Sequence, residues 1–181
     1  GFNVSGVDIS PLSPKLSCDF DIRTVDLENE TLPYPDGSFD FVFSKSVIEH
    51  MRHPSCLISK AYEVLRPGGT AVVMTPSWIH TYWGPFYVDH THVTPFTIPS
   101  LKEALVISGF EDVQVDYFYQ LPFLWKYPVF KILVKLLAKL PIAYRPYNDS
   151  SKLPDNVNKL VRFSKEVMLI AVAKKSKIER K

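Results

Sequence analysis

The chain has 181 residues, of which 46% are hydrophobic and 22% are charged, and its formal net charge is +2. This composition excludes a disordered chain and suffices for one domain with a substantial core. The net charge is too small to predict nucleic-acid binding, and no run of about 18 uncharged apolar residues predicts a membrane-spanning helix.

The first residues predict a short strand that ends at an acidic position. Phe2, Val4 and Val7 form the strand, and Asp8 and Ile9 stand at its carboxyl end. Ligands of open α/β sheets bind at the carboxyl ends of the strands, where an acidic side chain can accept both hydroxyls of a ribose. A structural role for Asp8, at the turn before the Ser-Pro pair, is an equally good interpretation.

Residues 22–27 predict a second strand that ends at Asp26, and residues 39–43 predict a buried strand after a Pro-Asp-Gly-Ser turn. Apolar side chains at helical spacing from Leu57 to Leu65 predict a helix, which the segment 66–69 (RPGG) is expected to end. Ala71–Met74 continues as a buried strand. The order strand, helix, strand indicates a βαβ unit with a right-handed crossover.

The FDFV strand, the pair Glu49-His50 and the VLRPGG segment before an apolar strand together resemble class I methyltransferases that use S-adenosylmethionine. Within that class, the type 11 methyltransferase domains are the most similar. The resemblance covers residues 1–119 and the last strand. It implies an α/β fold with a Rossmann-like, mostly parallel sheet, an antiparallel last strand and helices on both faces.

The resemblance also implies where the cofactor S-adenosylmethionine binds. Asp8 and Ile9 would hold the ribose, and Asp26 and Leu27 would hold the adenine. Ser44 and Lys45 would lie beside the cofactor at the end of their strand. From the residues alone, Asp26 also fits a polar loop with the three residues at positions 28–30.

The first strand of the family and its glycine-rich loop have no counterpart here, because none of the seven glycines forms a G-x-G loop. We therefore expect residues 1–181 to form one domain that is N-terminally incomplete, or whose sheet is completed in another way. A sheet that lacks a central strand has two unpaired edges.

Residues 76–97 are rich in aromatic residues and histidines and are expected to form a substrate loop over the crevice. His92 or His90 would take a proton from the attacking hydroxyl or amine. Alternatively, both histidines hydrogen-bond the loop to itself. We expect no metal, because Ser46 stands where some quinone-ring O-methyltransferases carry a further carboxylate before the Glu-His pair. The H-x-H spacing alone is weak support for zinc.

After this loop, Thr97 is predicted to cap a helix that ends at Gly109, and residues 113–119 are predicted to form a strand near the sheet edge. A polar stretch at 144–158 precedes the apolar strand Val167–Ala173. By the resemblance, this last strand inserts antiparallel into the sheet.

Residues 121–143 predict an amphipathic helix with one basic face, formed at four-residue spacing by Lys131, Lys135 and Lys139. Three hypotheses remain open for it: an ordinary packed helix, a lid or dimer contact, and a helix that lies on a membrane surface next to a lipid-linked substrate. Trp125 and Tyr127 suit the last hypothesis, since such rings favour interfaces.

The sequence thus predicts methyl transfer to a small-molecule acceptor, first of all a hydroxyl of a sugar or a lipid-linked glycan. A non-catalytic methyltransferase-like binding domain and a quinone or phenol O-methyltransferase are the alternatives. Cys18 and Cys56 show no metal or redox spacing, so we expect a cytoplasmic protein, peripheral on the membrane if residues 121–143 bind lipid. The sequence indicates no oligomeric state.

Overall fold

The computed structural model describes residues 1–16 and 20–177, and it contains two sheets. Strands β1 (Ser5–Asp8) and β2 (Asp21–Thr24) form a parallel pair. The second sheet has the order β3-β4-β6-β5, with the bounds Phe39–Lys45 (β3), Leu65–Pro76 (β4), Glu111–Phe118 (β5) and Met168–Lys174 (β6). Strand β4 is parallel to β3, whereas β6 runs antiparallel to both of its neighbours. The predicted fold class and the antiparallel last strand are confirmed.

Seven α-helices are found in the described residues: Ser13–Leu16 (α1), Pro54–Val64 (α2), Trp78–Thr81 (α3), Ile98–Ile107 (α4), Pro122–Lys126 (α5), Lys131–Ala138 (α6) and Asp155–Lys165 (α7). Short 3₁₀ helices cover Ile48–His50, Pro85–Val88 and Pro128–Phe130. Apolar residues of α2 and α4 pack with the second sheet and form the main core. A smaller core lies among α5, α6 and α7.

The βαβ unit forms as predicted, but its helix ends differently. Helix α2 stops at Val64, and Leu65 is already extended and buried in β4. The proline at position 67 disfavours a helical conformation at Arg66, so the chain leaves the helix before it reaches the glycines. Gly68 adopts a φ of 79° inside the long strand rather than at a helix cap. The first two strands are also shorter than expected, and Phe2 is exposed.

Residues 121–143 do not form one helix. The segment is divided into α5, the 3₁₀ helix Pro128–Phe130 and α6. Tyr127 precedes Pro128 and has a non-helical backbone, with φ −130° and ψ 76°. A proline disfavours the helical conformation at the residue before it. Helix α7 lies partly in the predicted polar stretch and was not predicted. The substrate loop likewise contains α3 and a 3₁₀ helix.

The two sheets are not hydrogen-bonded to each other within the described residues, so β1 and β3 each have one strand neighbour. Residues of both strands line one cavity of about 670 Å³. Phe41 and Phe43 on β3 are 52% and 57% exposed. That a central strand of the family has no counterpart here, and that the domain is N-terminally incomplete, both stay predictions. Cys18 lies outside the described residues, and Cys56 is a free thiol.

Candidate functional site

The cavity between β1 and β3 brings together all of the residues predicted to bind the cofactor. Three strand ends supply them, because β1, β2 and β3 each finish at this edge of the fold. The six residues all line the cavity: Asp8, Ile9, Asp26, Leu27, Ser44 and Lys45. The convergence follows from topology, since parallel strands present their carboxyl ends on the same side.

Asp8 is the last residue of β1 and is exposed to the cavity. Its Oδ1 accepts a hydrogen bond of 2.7 Å from the backbone N–H of Ser10, which is the turn role considered above. The backbone carbonyl of Asp8 accepts from the N–H of Val25 and thereby ties the ends of β1 and β2 together. Oδ2 makes no hydrogen bond within the described residues, so it is available to a ligand hydroxyl.

Asp26 organises the turn that follows β2. Its Oδ1 accepts from the N–H of Glu28 and its Oδ2 from the side chain of Asn29, both at 2.8 Å. The bond from Asn29 and then that from Glu28 lower the pKa of the Asp26 carboxyl. Lys60 donates to the carbonyl of Leu27 at 2.6 Å. These contacts match the polar-loop interpretation, while each carboxylate oxygen keeps a further lone pair for a ligand.

The end of β3 offers an unsatisfied polar group to the cavity. Ser44 Oγ is buried and has no hydrogen-bond partner within the described residues. Buried hydroxyls in native proteins are almost always paired, so an unpaired one in a cavity wall is suited to a ligand. Together with Asp8 and Asp26, it fits a nucleoside that carries both hydroxyl and amino groups.

The 3₁₀ helix Ile48–His50 follows β3 and fixes the end of the substrate loop. The backbone carbonyl of Glu49 accepts from the N–H groups of Val93 and Thr94, at 2.9 and 3.0 Å. Thr94 Oγ1 donates to the carbonyl of Met51 at 2.7 Å. These bonds place His92 of the loop against His50, with their ring centroids 4.6 Å apart.

Hydrogen bonds determine which nitrogen of each ring carries a proton. His92 Nδ1 lies 2.7 Å from the carbonyl of Phe86, which only accepts, so Nδ1 is the donor. Thr91 Oγ1 donates to Asp89 at 2.6 Å and therefore accepts from His50 Nδ1, 2.8 Å away. In the neutral rings, both Nε2 atoms then carry lone pairs.

Glu49 lies close to His50 and His92, and its carboxyl group is fully buried. Its Oε2 accepts from Thr75 Oγ1 at 3.0 Å, whereas Oε1 has no hydrogen-bond partner within the described residues. Burial raises the pKa of the Glu49 carboxyl. The sequence singled out the Glu-His pair but not its contact with His92, because the two segments are far apart in the chain and no local spacing indicates that they meet.

No residue of the loop 76–97 lines the cavity, and the loop meets the cavity wall through the contact of His92 with His50. His50 lines the cavity and contacts His92, whereas His90 is exposed. Several aromatic side chains of the loop remain exposed, with Tyr82 at 60% and Tyr87 at 57%. Trp83 packs edge-on against Tyr147 from the segment before α7, with centroids 4.8 Å apart. The loop therefore presents an exposed aromatic surface.

A mostly parallel sheet whose strand ends direct acidic and hydroxyl side chains into one cavity defines an α/β protein of the nucleotide-cofactor class. Residues 1–115 match the family model described as a methyltransferase domain, and the chain belongs to that family. The predicted membership in the class I S-adenosylmethionine-dependent methyltransferases is confirmed.

Relatives with similar sequences are methyltransferases of different kinds. A probable S-adenosylmethionine-dependent methyltransferase of Mycolicibacterium smegmatis is 37% identical over 86 residues, which are 44% of this chain and 32% of that protein. The demethylmenaquinone methyltransferase of Tropheryma whipplei is 33% identical over 91 residues, covering 48% of this chain and 38% of the relative. The chain spans about a third of the length of the curated relatives it matches.

Solved structures support the fold over nearly the whole chain. A methyltransferase from Archaeoglobus fulgidus superposes with a TM-score of 0.60 at 23% identity, covering 94% of this chain and 75% of that one. A phosphoethanolamine N-methyltransferase of Haemonchus contortus, solved with S-adenosylhomocysteine, gives a TM-score of 0.58 at 19% identity and covers 97% and 44%. At these identities the similarity establishes the fold alone.

Proposed function

We propose that the protein transfers a methyl group from S-adenosylmethionine to a small-molecule acceptor. One observation carries the proposal: the six residues predicted for the cofactor come from three strand ends and line one cavity. The cofactor supplies a methyl group on a sulfonium, which is already a strong electrophile. The chain has to align the acceptor with the methyl carbon, which can lower the barrier by roughly 7–11 kcal/mol.

In this reaction the acceptor oxygen bonds to the methyl carbon as the carbon–sulfur bond breaks, and the hydroxyl proton has to leave. His92 is the better of the two predicted bases, because its Nε2 carries a lone pair and its ring contacts His50 at the cavity wall. His90, by contrast, is exposed. The buried Glu49 carboxyl lies beside both rings and favours the imidazolium that forms.

For the acceptor we propose a hydroxyl of a sugar or a lipid-linked glycan. The exposed aromatic rings of residues 76–97 are suited to stack against a ring-shaped acceptor, and His92 of the same loop contacts His50 in the cavity wall. A quinone or phenol acceptor is the alternative, and two relatives favour it by name: the demethylmenaquinone methyltransferase of Tropheryma whipplei and a hydroquinone methyltransferase of Synechocystis. Either a glycan lipid or a prenylated quinone would be reached at a membrane.

We also propose that the face of α5 and α6 rests on an anionic lipid surface. Within the described residues, no helix is both long and apolar enough to cross a membrane. Val134 packs into the smaller core, but Ile132, Leu133 and Leu136 are 67%, 60% and 55% exposed. At about 100° per residue, these three form one stripe of α6, and the side chains of its lysines lie along one flank.

Charge favours anionic lipid over a second protein as the occupant. The sequence contains no acidic residue from position 117 to position 148, whereas four exposed lysines lie there: Lys126, Lys131, Lys135 and Lys139. Trp125 is 60% exposed at one end of the same surface. A helix with this pattern can bury its apolar stripe at the acyl boundary while the lysines reach the headgroups.

The cofactor proposal is tested by calorimetric titration of S-adenosylhomocysteine into the chain and into Asp8→Ala. Each hydrogen bond that the carboxylate accepts from a ribose hydroxyl contributes about 1.5–3 kcal/mol, so Asp8→Ala should weaken binding at least about tenfold. Asp36→Ala, which removes an exposed carboxylate of the turn before β3, serves as the control and should bind like the original chain.

If the chain alone does not bind, the titration is repeated with the protein extended by the coding sequence upstream of Gly1. Binding that appears only then, and that depends on Asp8, supports the proposal. Absence of binding in both proteins contradicts it and favours a non-catalytic methyltransferase-like domain.

A further inference from the structure

Three side chains from two distant segments converge next to the cofactor cavity. Glu49 and His50 come from the 3₁₀ helix after β3, and His92 comes from the end of the substrate loop. One carboxylate oxygen and one nitrogen from each ring all lie within 4.8 Å of one another. The backbone bonds from Val93 and Thr94 to Glu49 hold the two segments in this arrangement.

In each neutral ring, the nitrogen that does not make the anchoring hydrogen bond carries a lone pair and no proton. Each Nδ1 donates to a fixed acceptor, so each Nε2 carries a lone pair. Histidines that bind metals are typically held in this way, with the other ring N–H donated to a backbone carbonyl or to a carboxylate-linked group. Here Phe86 holds His92 directly, and Asp89 holds His50 through Thr91.

The carboxyl groups of the cluster have no lysine or arginine partner within the described residues. Glu49 is completely buried and its Oε1 is unpaired, although a buried carboxyl oxygen normally has a partner. Asp89 lies at the edge of the cluster, with Oδ2 4.0 Å from His92 Nε2. Within the described residues, no lysine or arginine forms an ion pair with Glu49 or Asp89.

We infer that Glu49, His50 and His92 bind a divalent first-row transition-metal ion. Two imidazoles and one carboxylate are ligands that such ions prefer over Mg²⁺ or Ca²⁺, which favour oxygen. Bond lengths of about 2.0–2.2 Å require the ligand atoms to approach to about 3.5 Å, which takes a small rotation of the three side chains from their present separation. Three protein ligands leave coordination positions open for water or an acceptor oxygen.

The ion would lie at the cavity wall, since His50 belongs both to the cluster and to the lining of the cavity. A bound ion takes the Nε2 lone pairs, so the role of His92 changes from base to ligand. The ion would lower the pKa of a coordinated acceptor hydroxyl, whose proton would then pass to solvent water instead of to the ring. The inference itself rests on the geometry of the cluster and holds whether or not the protein transfers methyl groups.

The test is a titration of the tag-free chain with Co²⁺ alone, followed by the d–d absorption that nitrogen ligands produce and confirmed by calorimetry. We expect one equivalent to bind in the micromolar range. His50→Gln and His92→Gln should each weaken binding at least about tenfold. The matched controls are His53→Gln, three residues from His50, and His90→Gln, two residues from His92; both side chains are exposed, and both variants should bind like the original chain.

A further variant keeps the test decisive if a histidine substitution prevents folding, which circular dichroism would reveal. Thr91→Val retains all three ligands and removes only the hydroxyl that orients His50, so it should weaken Co²⁺ binding while the chain remains folded. The inference is overturned if the chain does not bind Co²⁺. It is equally overturned if binding is unchanged in both His50→Gln and His92→Gln, since the ion then binds elsewhere.

Discussion

Replacing lysines on α6 should weaken binding to anionic membranes by a calculable amount. Lys131 and Lys135 are exposed and lie on the flank of the apolar stripe of that helix. A lysine close to an anionic bilayer contributes about 1 kcal/mol. The double variant Lys131→Gln/Lys135→Gln should therefore lose about 2 kcal/mol, which corresponds to a partition coefficient about thirtyfold smaller.

The apolar stripe gives an independent contribution that salt does not screen. Leu133 and Leu136 are 60% and 55% exposed, so lipid can cover about half of each side chain. Complete burial of a leucine contributes about 1.5–3 kcal/mol, so covering half of each of the two side chains should supply about 1.5–3 kcal/mol in total. Leu133→Ser/Leu136→Ser should weaken binding as strongly as the lysine double variant, but its effect should persist at high salt.

Co-sedimentation with vesicles measures both effects. Vesicles of phosphatidylcholine with and without phosphatidylserine separate the charge-dependent part from the apolar part. The control double variant, Lys102→Gln/Lys152→Gln, removes the same charge from exposed sites outside this face and should bind like the original chain. Equal binding to both kinds of vesicle, or equal loss in the control, would refute the argument. If the original chain does not bind vesicles, and if light scattering shows that it is a dimer whereas its leucine variant is a monomer, the face is a contact between two copies.

Three further predictions concern stability. Asn158 makes two hydrogen bonds to the backbone of Arg145, at 2.8 and 3.0 Å, so Asn158→Ala should lower the free energy of unfolding in urea by about 1–3 kcal/mol. Burial is the main cause that lowers the pKa of His80 below 6.5. The contribution of neutral His80 to the free energy of unfolding is therefore fully present above pH 6.5 and is lost as the pH falls through the pKa of the folded state. His80→Gln should flatten this dependence in urea titrations at several pH values. Gly84 has a φ of 152° and an added Cβ would overlap the ring of Tyr147, so Gly84→Ala should lower the free energy of unfolding by about 1 kcal/mol or more, measured by thermal denaturation.

The sequence predicted those parts of the fold that depend on local patterns. The apolar runs of β3, β4 and β6 are visible as such, and the acidic residues at the ends of β1 and β2 could be placed at the cavity because parallel topology brings strand ends together. Its failures occurred where a local pattern competed with another constraint. The helical periodicity of residues 121–143 was real, but Pro128 interrupts it and leaves α6 with eight residues.

The ligand cluster could not be predicted in this way, because its members are joined by backbone bonds between distant segments. Nothing near His92 in the sequence indicates that the N–H groups of Val93 and Thr94 bind the carbonyl of Glu49. Which of two loop histidines faces the site was equally open, since His90 and His92 have the same residue type and similar neighbours. Only the contact with Phe86 and His50 distinguishes His92.

Position 46 is where the expectation of no metal and the inferred metal site differ. The expectation of no metal rested on the serine found there in place of a carboxylate. Ser46 is exposed and has a φ of 55°, whereas the third group beside Glu49 and His50 is His92 of the substrate loop. In the inferred site, His92 of the loop would be the third ligand, so the donor set would consist of two nitrogens and one oxygen. This donor set predicts a preference for transition ions over Mg²⁺, so that an excess of Mg²⁺ should not displace Co²⁺ from the chain.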